Sequence, residues 1–133
     1  MSGFLLDTNA LMSIVWESRR IGDQVRRRLE RGRRYASDIS AVELAIKIRA
    51  GRLEPPRAFR EDFTAAFLQA VEDAGAERLS LTLDDVSRLA GLPVIHNDPF
   101  DAMIIAQAME RGLAVVTSDQ RFADYPGLET LEF

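Results

Sequence analysis

The stretch FLLDTNAL, residues 4–11, runs from three apolar residues, Phe4, Leu5 and Leu6, straight into a carboxylate at Asp7, then into Thr8, Asn9 and a helix-like pattern. A short apolar run that halts on an acid and turns into a helix reads as a buried strand meeting its following helix at a sheet edge. The same alternation continues downstream. Apolar spacing and breaker residues predict strands at 3–6, 34–36, 77–80, 113–117 and 129–132. They predict helices at 8–17, 21–31, 38–50, 57–74, 83–90 and 98–111. Pro55-Pro56 in LEPPRAF, residues 53–59, marks a loop, because proline cannot sit inside a helix. Short apolar strands alternating with amphipathic helices give an α/β layered fold around a mainly parallel sheet.

With 133 residues and no repeat or linker, the chain fits one domain, 1–133, large enough to fold without disulfides. The sequence contains no cysteine, which removes a disulfide framework and thiolate metal sites and is compatible with a cytoplasmic location. No apolar tract is long enough to span a bilayer, and no charged-then-apolar leader is visible, so a soluble, non-membrane protein is expected. The formal charge of −4 argues against an indiscriminate nucleic-acid coat. Basic charge is nevertheless concentrated. All basic residues except Lys47 are arginine, and eight lie at positions 19, 20, 26, 27, 28, 31, 33 and 34.

In parallel α/β sheets ligands bind beyond the carboxyl ends of the strands, so acids at those ends carry weight. Asp7 directly follows the first strand, and Asp119 follows LAVVT after a single serine. Two more acids share helix faces with apolar residues. Glu43 shares one with Ile39, Ile46 and Ala50, and Asp101 shares one with Ile104, Ile105 and Ala108. Each has a simpler reading. Asp7 and Asp119 are placed to cap the following turn, Glu43 to pair with Lys47 one helical turn on, and Asp101 to favour a helix dipole behind the Asp98-Pro99 cap.

Together the four acids say more. Carboxylates within roughly 5 Å repel by about 3 kcal/mol per pair at an effective dielectric near 20, so six pairs would approach ~20 kcal/mol. A small domain is stable by far less. Protonation or a divalent cation must relieve such a cluster, and all-oxygen donors without thiols suit Mg²⁺ or Mn²⁺. A hard cation can activate water and stabilise charge on a phosphoryl group, which makes phosphodiester hydrolysis the expected reaction.

The blocks LLDTNAL, ISAVELAIKIRAGRL, HNDPFDAMIIAQA and VVTSDQRFADYPGLETL, spanning about residues 4 to 132 in this order, resemble PIN-domain proteins, specifically the VapC-like ribonuclease toxins of toxin–antitoxin pairs. That resemblance implies a three-layer α/β/α domain with a central, mainly parallel sheet of about five strands. It also implies a Mg²⁺- or Mn²⁺-dependent endoribonuclease with Asp7, Glu43, Asp101 and Asp119 as the catalytic, metal-holding acids, and with Thr8, Asn9, Thr117 and Ser118 in support. It further implies a homodimer silenced by a VapB-like antitoxin. The chain departs from many relatives at Asn97, where a basic residue is common between the histidine and the first aspartate.

An acidic protein that cuts RNA needs a cationic surface, and Arg19, Arg20, Arg26, Arg27 and Arg31 are its candidate residues; the plainer reading is a solvated helix around Ile21, Val25 and Leu29. The single histidine, His96, suits either a general base or a loop residue satisfied by the backbone. Phe59, Phe63, Phe67, Leu68 and Val71 read as core or as a partner surface. Two other functions remain open: an aspartyl-phosphate phosphatase or receiver-like domain, and a non-catalytic module that binds RNA or an antitoxin. The first needs a lysine near the phosphoryl group, and the only lysine is Lys47.

Overall fold

A computed structural model describes residues 3–133. Its strands are β1 (Phe4–Leu6), β2 (Arg34–Ser37), β3 (Glu77–Leu79), β4 (Ala114–Thr117) and β5 (Thr130–Glu132). Among the described residues they form one sheet in the order β3-β2-β1-β4-β5, parallel at every pairing. The central register sets Leu5 between Tyr35 and Val115, and Leu6 between Ala36 and Val116. A strand paired on both edges and covered on both faces cannot alternate with polar residues, and Phe4, Leu5 and Leu6 are all fully buried.

The helices are α1 (Thr8–Trp16), α2 (Asp23–Glu30), α3 (Asp38–Arg49), α4 (Arg57–Glu61), α5 (Phe63–Asp73), α6 (Leu83–Ala90) and α7 (Pro99–Arg111). Short 3-10 turns occupy Ser18–Arg20 and Gln120–Asp124. Successive β1 side chains separate two cores. Phe4 and Leu6 pack with Leu11 of α1, Leu29 of α2, Leu44 of α3, Phe59 of α4 and Phe67 and Val71 of α5. Leu5 packs on the other face with Ile39, Val115, Phe122 and Tyr125 and with Ile104, Ile105 and Ala108 of α7. The result is the three-layer α/β/α sandwich expected from the sequence. Among the described residues no helix is long and apolar enough to cross a membrane.

Two expectations need correction. The helix expected over 57–74 is two helices, because Asp62 adopts an extended conformation (φ −154°, ψ 93°) and its carboxylate accepts from the Ala65 amide at 3.1 Å, capping α5 afresh. The inward face of α3 is also rotated from the expected one. Ile39, Ser40, Glu43 and Leu44 are buried and Ile48 packs against the core, whereas Ile46 and Ala50 are exposed, since the inward stripe of α3 runs through Ser40, Leu44 and Ile48 and leaves them to one side. The aromatic series across α4 and α5 is largely core: Phe59, Phe67 and Val71 are buried, and only Leu68 is well exposed.

A buried polar brace was not foreseen. Asp85, 1% exposed, accepts from the Thr82 amide at 2.9 Å, from Gln107 Nε2 at 3.2 Å and from Arg111 Nη2 at 2.9 Å, joining α6 to α7. Thr82 and Asp85 form a capping box, and the T-x-x-D spacing was its visible signal.

Gly3 leads into β1 at φ +123°, and a Cβ there would stand 2.6 Å from the Arg33 carbonyl oxygen. Gly3→Ala is therefore expected to destabilise the fold by about 2 kcal/mol, through backbone strain and a clash with a rigid neighbour. Urea unfolding reads this directly; an unchanged midpoint would show that the strand entry is not held in this conformation.

Candidate active site

The carboxyl ends of β1 and β4 lie side by side, and each delivers an acid. The Asp7 amide donates to Val116 O at 3.1 Å, which carries the chain out of β1 in contact with β4. Asp7 then caps α1, its Oδ1 accepting from the Ala10 amide at 2.7 Å. Asp119 follows β4 by one residue and caps the 3-10 turn, accepting from the Arg121 amide at 2.9 Å. Glu43 comes from the buried face of α3. Asp101 comes from the first turn of α7, behind Asp98, whose carboxylate caps the Phe100 and Asp101 amides. Capping and placement at the cavity are thus compatible in Asp7, Asp98 and Asp119.

All four acids line a cavity of about 560 Å³, together with Thr8, Asn9, Asp98, Ser118, Gln120, Arg121 and Phe122. Burial pushes the Asp7 carboxyl up to about 6, against hydrogen bonds from Thr117 and the Ala10 amide and with added repulsion from Glu43 and Asp119. Asp101 is pushed up to about 7, first by burial and then by repulsion from Asp98, Asp7, Glu43 and Asp119. Asp119 is instead held below the usual carboxylate range by the Arg121 guanidinium, whose Nη2 stands 2.6 Å from Oδ2. Glu43 is paired with Lys47 at 2.7 Å.

Among the described residues no three acids form a ready-made cage for an ion. Two of the four carboxylates are instead engaged by cations of the chain itself, Lys47 and Arg121. The donor set still fits a hard cation. It is all oxygen, and Asp7 and Asp101, raised first by burial and then by the neighbouring acids, are carboxyls that a bound cation would help to ionise.

The supporting polar residues are tied to one another. Asn9 Nδ2 donates to Ser118 Oγ at 2.6 Å, and Thr8 Oγ1 donates to Ser40 Oγ at 2.9 Å. Thr117 Oγ1 accepts from the Asp119 amide at 3.0 Å. Of the arginines, Arg20 reaches the rim, with Nη1 3.4 Å from Asn9 Oδ1. Arg26 is engaged with the Ile21 and Ser18 carbonyls. Arg19, Arg27 and Arg31 are exposed on the same stretch. His96 is not satisfied by the backbone: among the described residues both ring nitrogens are without partners, and the ring packs against Phe122 and Tyr125. Arg121 was missed from the sequence, where it reads as a surface residue of a turn.

An all-parallel α/β sandwich with an acidic cavity beyond the carboxyl ends of its central strands is the class of domain that the fold and the site define. The PIN domain family model matches residues 4–128, and the chain belongs to that family. PIN domains are metal-dependent nucleases. No curated protein matches the chain. Among solved structures, the chain is similar in fold to VapBC2 of Rickettsia felis bound to a promoter DNA fragment, at 16% identity and TM-score 0.71, covering 98% of both chains. DNA-bound VapBC of Salmonella typhimurium gives 22% identity and TM-score 0.70, covering 99% of this chain and 98% of that one. VapBC-5 of Mycobacterium tuberculosis, a toxin–antitoxin system, gives 22% identity and TM-score 0.62, covering 100% of both.

Proposed function

We propose that the chain is a Mg²⁺- or Mn²⁺-dependent endoribonuclease, the toxin of a toxin–antitoxin pair. The observation that carries this reading is the cavity lined by Asp7, Glu43, Asp101 and Asp119, with the Asp7 and Asp101 carboxyls raised first by burial and then by the neighbouring acids. Asp7, Glu43, Asp101 and Asp119 hold the ion. A bound divalent cation supplies a Lewis acid for phosphoryl oxygens and a lowered pKa for water. The chain's own residues prepare for it. The Ala10 amide fixes one Asp7 oxygen, the start of α7 presents Asp101, and Thr8, Asn9, Thr117 and Ser118 fix the surrounding donors by hydrogen bonds.

Water attacks phosphorus in line, the P–O3′ bond breaks and O3′ gains a proton, which leaves 5′-phosphate and 3′-hydroxyl ends. Arg19, Arg20, Arg26, Arg27 and Arg31 form the cationic approach, with Arg20 nearest the cavity through Asn9. The receiver-like alternative is disfavoured, because Lys47 is committed to Glu43. A cognate antitoxin, homodimer formation and a cytoplasmic location complete the proposal, the first supported by the toxin–antitoxin complexes that share this fold.

The test is direct. Purified protein incubated with an end-labelled single-stranded RNA and MnCl₂ is expected to yield 5′-phosphorylated fragments, and excess EDTA to stop the reaction. Cleavage undiminished in EDTA would overturn the mechanism. Absence of cleavage across varied RNAs, alongside binding of RNA or an antitoxin, would favour the non-catalytic module.

A further inference from the structure

Arg121 is the one basic side chain lining the acidic cavity among the described residues. It forks onto a single acid: Nε stands 3.0 Å from Asp119 Oδ1, and Nη2 stands 2.6 Å from Oδ2. This is the parallel two-bond arrangement in which guanidinium groups hold carboxylates, and it is also how they hold the paired non-bridging oxygens of a phosphodiester. The clamp is local, spanning two residues of a 3-10 turn, and the arginine side chain remains 60% exposed. A flexible, exposed guanidinium can leave its partner without disturbing the core.

Two demands on Asp119 conflict. An ion held by Asp119 and the clamp draw on the same two oxygens, and a divalent cation there sets like charge against the guanidinium. Entry of a divalent ion therefore displaces the guanidinium, at the mouth of a cavity that must accept a polyanion while five of its own lining side chains are acidic. We infer that Arg121 is a substrate-binding residue that exchanges the Asp119 carboxylate for an RNA phosphate when the ion enters. This rests on the nuclease reading above and adds an order to it, ion first and tight RNA binding second.

The experiment compares the full chain with R121Q and R121K, each checked for folding by thermal melting. Calorimetric titration with MnCl₂ is expected to show R121Q binding the ion about ten-fold more tightly, since a competing positive charge has gone. Fluorescence anisotropy with a labelled single-stranded RNA then separates the second role. In EDTA, where the clamp is closed, the chain and R121Q bind RNA alike with equal salt dependence. In CaCl₂, with intact RNA verified on a gel, the chain gains about ten-fold over R121Q, whose salt slope is lower by about one. R121K restores the slope but not the full affinity, because an ammonium lacks the fork. Ion binding by R121Q no tighter than by the parent, or equal RNA affinities in CaCl₂, overturns the exchange. If the parent chain binds neither Mn²⁺ nor RNA, the nuclease reading itself has failed, and the exchange falls with it.

Discussion

Asp7→Asn is expected to abolish RNA cleavage, by ~10³-fold or more, while making the ion-free protein more stable. The two effects share one cause. Asp7 is 6% exposed, with its carboxyl raised to about 6, so keeping it ionised at neutral pH costs the fold roughly 3 kcal/mol relative to an unfolded chain. Asparagine removes that cost and keeps an oxygen that can accept from the Ala10 amide, so the α1 cap survives. A net gain of about 2 kcal/mol, or ~5 °C in melting temperature, should appear in EDTA at pH 7.5. Asp101→Asn should behave alike, with a smaller gain because Asp101 is only partly buried. Circular dichroism melts beside a cleavage assay give both readouts. Variants that are inactive and less stable than the parent would indicate broken structure rather than a relieved acid.

The second large effect is a pH dependence that an ion reverses. A carboxyl raised in the folded state holds its proton there to a higher pH than in the unfolded chain. Its favourable contribution is complete below the ordinary carboxylate pKa and is lost as pH climbs through the folded value. Asp7 at about 6 and Asp101 at about 7 therefore predict that ion-free stability falls between about pH 4 and pH 7. Asp119 runs the other way, since its depressed carboxyl adds stability only as pH rises through the acid range below that window. Saturating Mn²⁺, at about 100 times its Kd, should restore about 2.7 kcal/mol at pH 7.5 and little at pH 5, where protons compete. A stability profile flat from pH 4 to pH 7 would mean that the acids are not desolvated as described.

How far the sequence discloses this molecule follows from how local each signal is. The β1–Asp7–α1 junction is readable because a fully apolar triplet, an acid and a helix start occur within eight consecutive residues. Asp101 is readable because Ile104, Ile105 and Ala108 mark its side of α7, and all three are buried. Glu43 is readable for a partly mistaken reason. It is buried with Ile39, but Ile46 and Ala50 are exposed, because the stripe that faces the core is centred on Ser40, Leu44 and Ile48 and Glu43 stands at its edge.

Other features depended on tertiary choices. The break at Asp62 arises from a capping aspartate inside an otherwise helical pattern, a competition that propensity does not resolve. Gln107 and Arg111 look like ordinary helix residues until α6 brings Asp85 against them. Arg121 is two residues from Asp119, a spacing at which side chains do not face each other on a helix, and the tight 3-10 turn lets its side chain double back.

The amide contacts made by Asp7 and Asp119 reach beyond placement. Each freezes its carboxylate rotor while the chain folds, so the cation proposed above would find oxygens that have little torsional freedom left to surrender. Beyond the release of Arg121 from Asp119, what remains to change on uptake is hydration: water leaves the ion and the acids together, and proton release accompanies it. Metal uptake by this pocket should accordingly register in a calorimeter chiefly as disorder gained by solvent, with only modest heat.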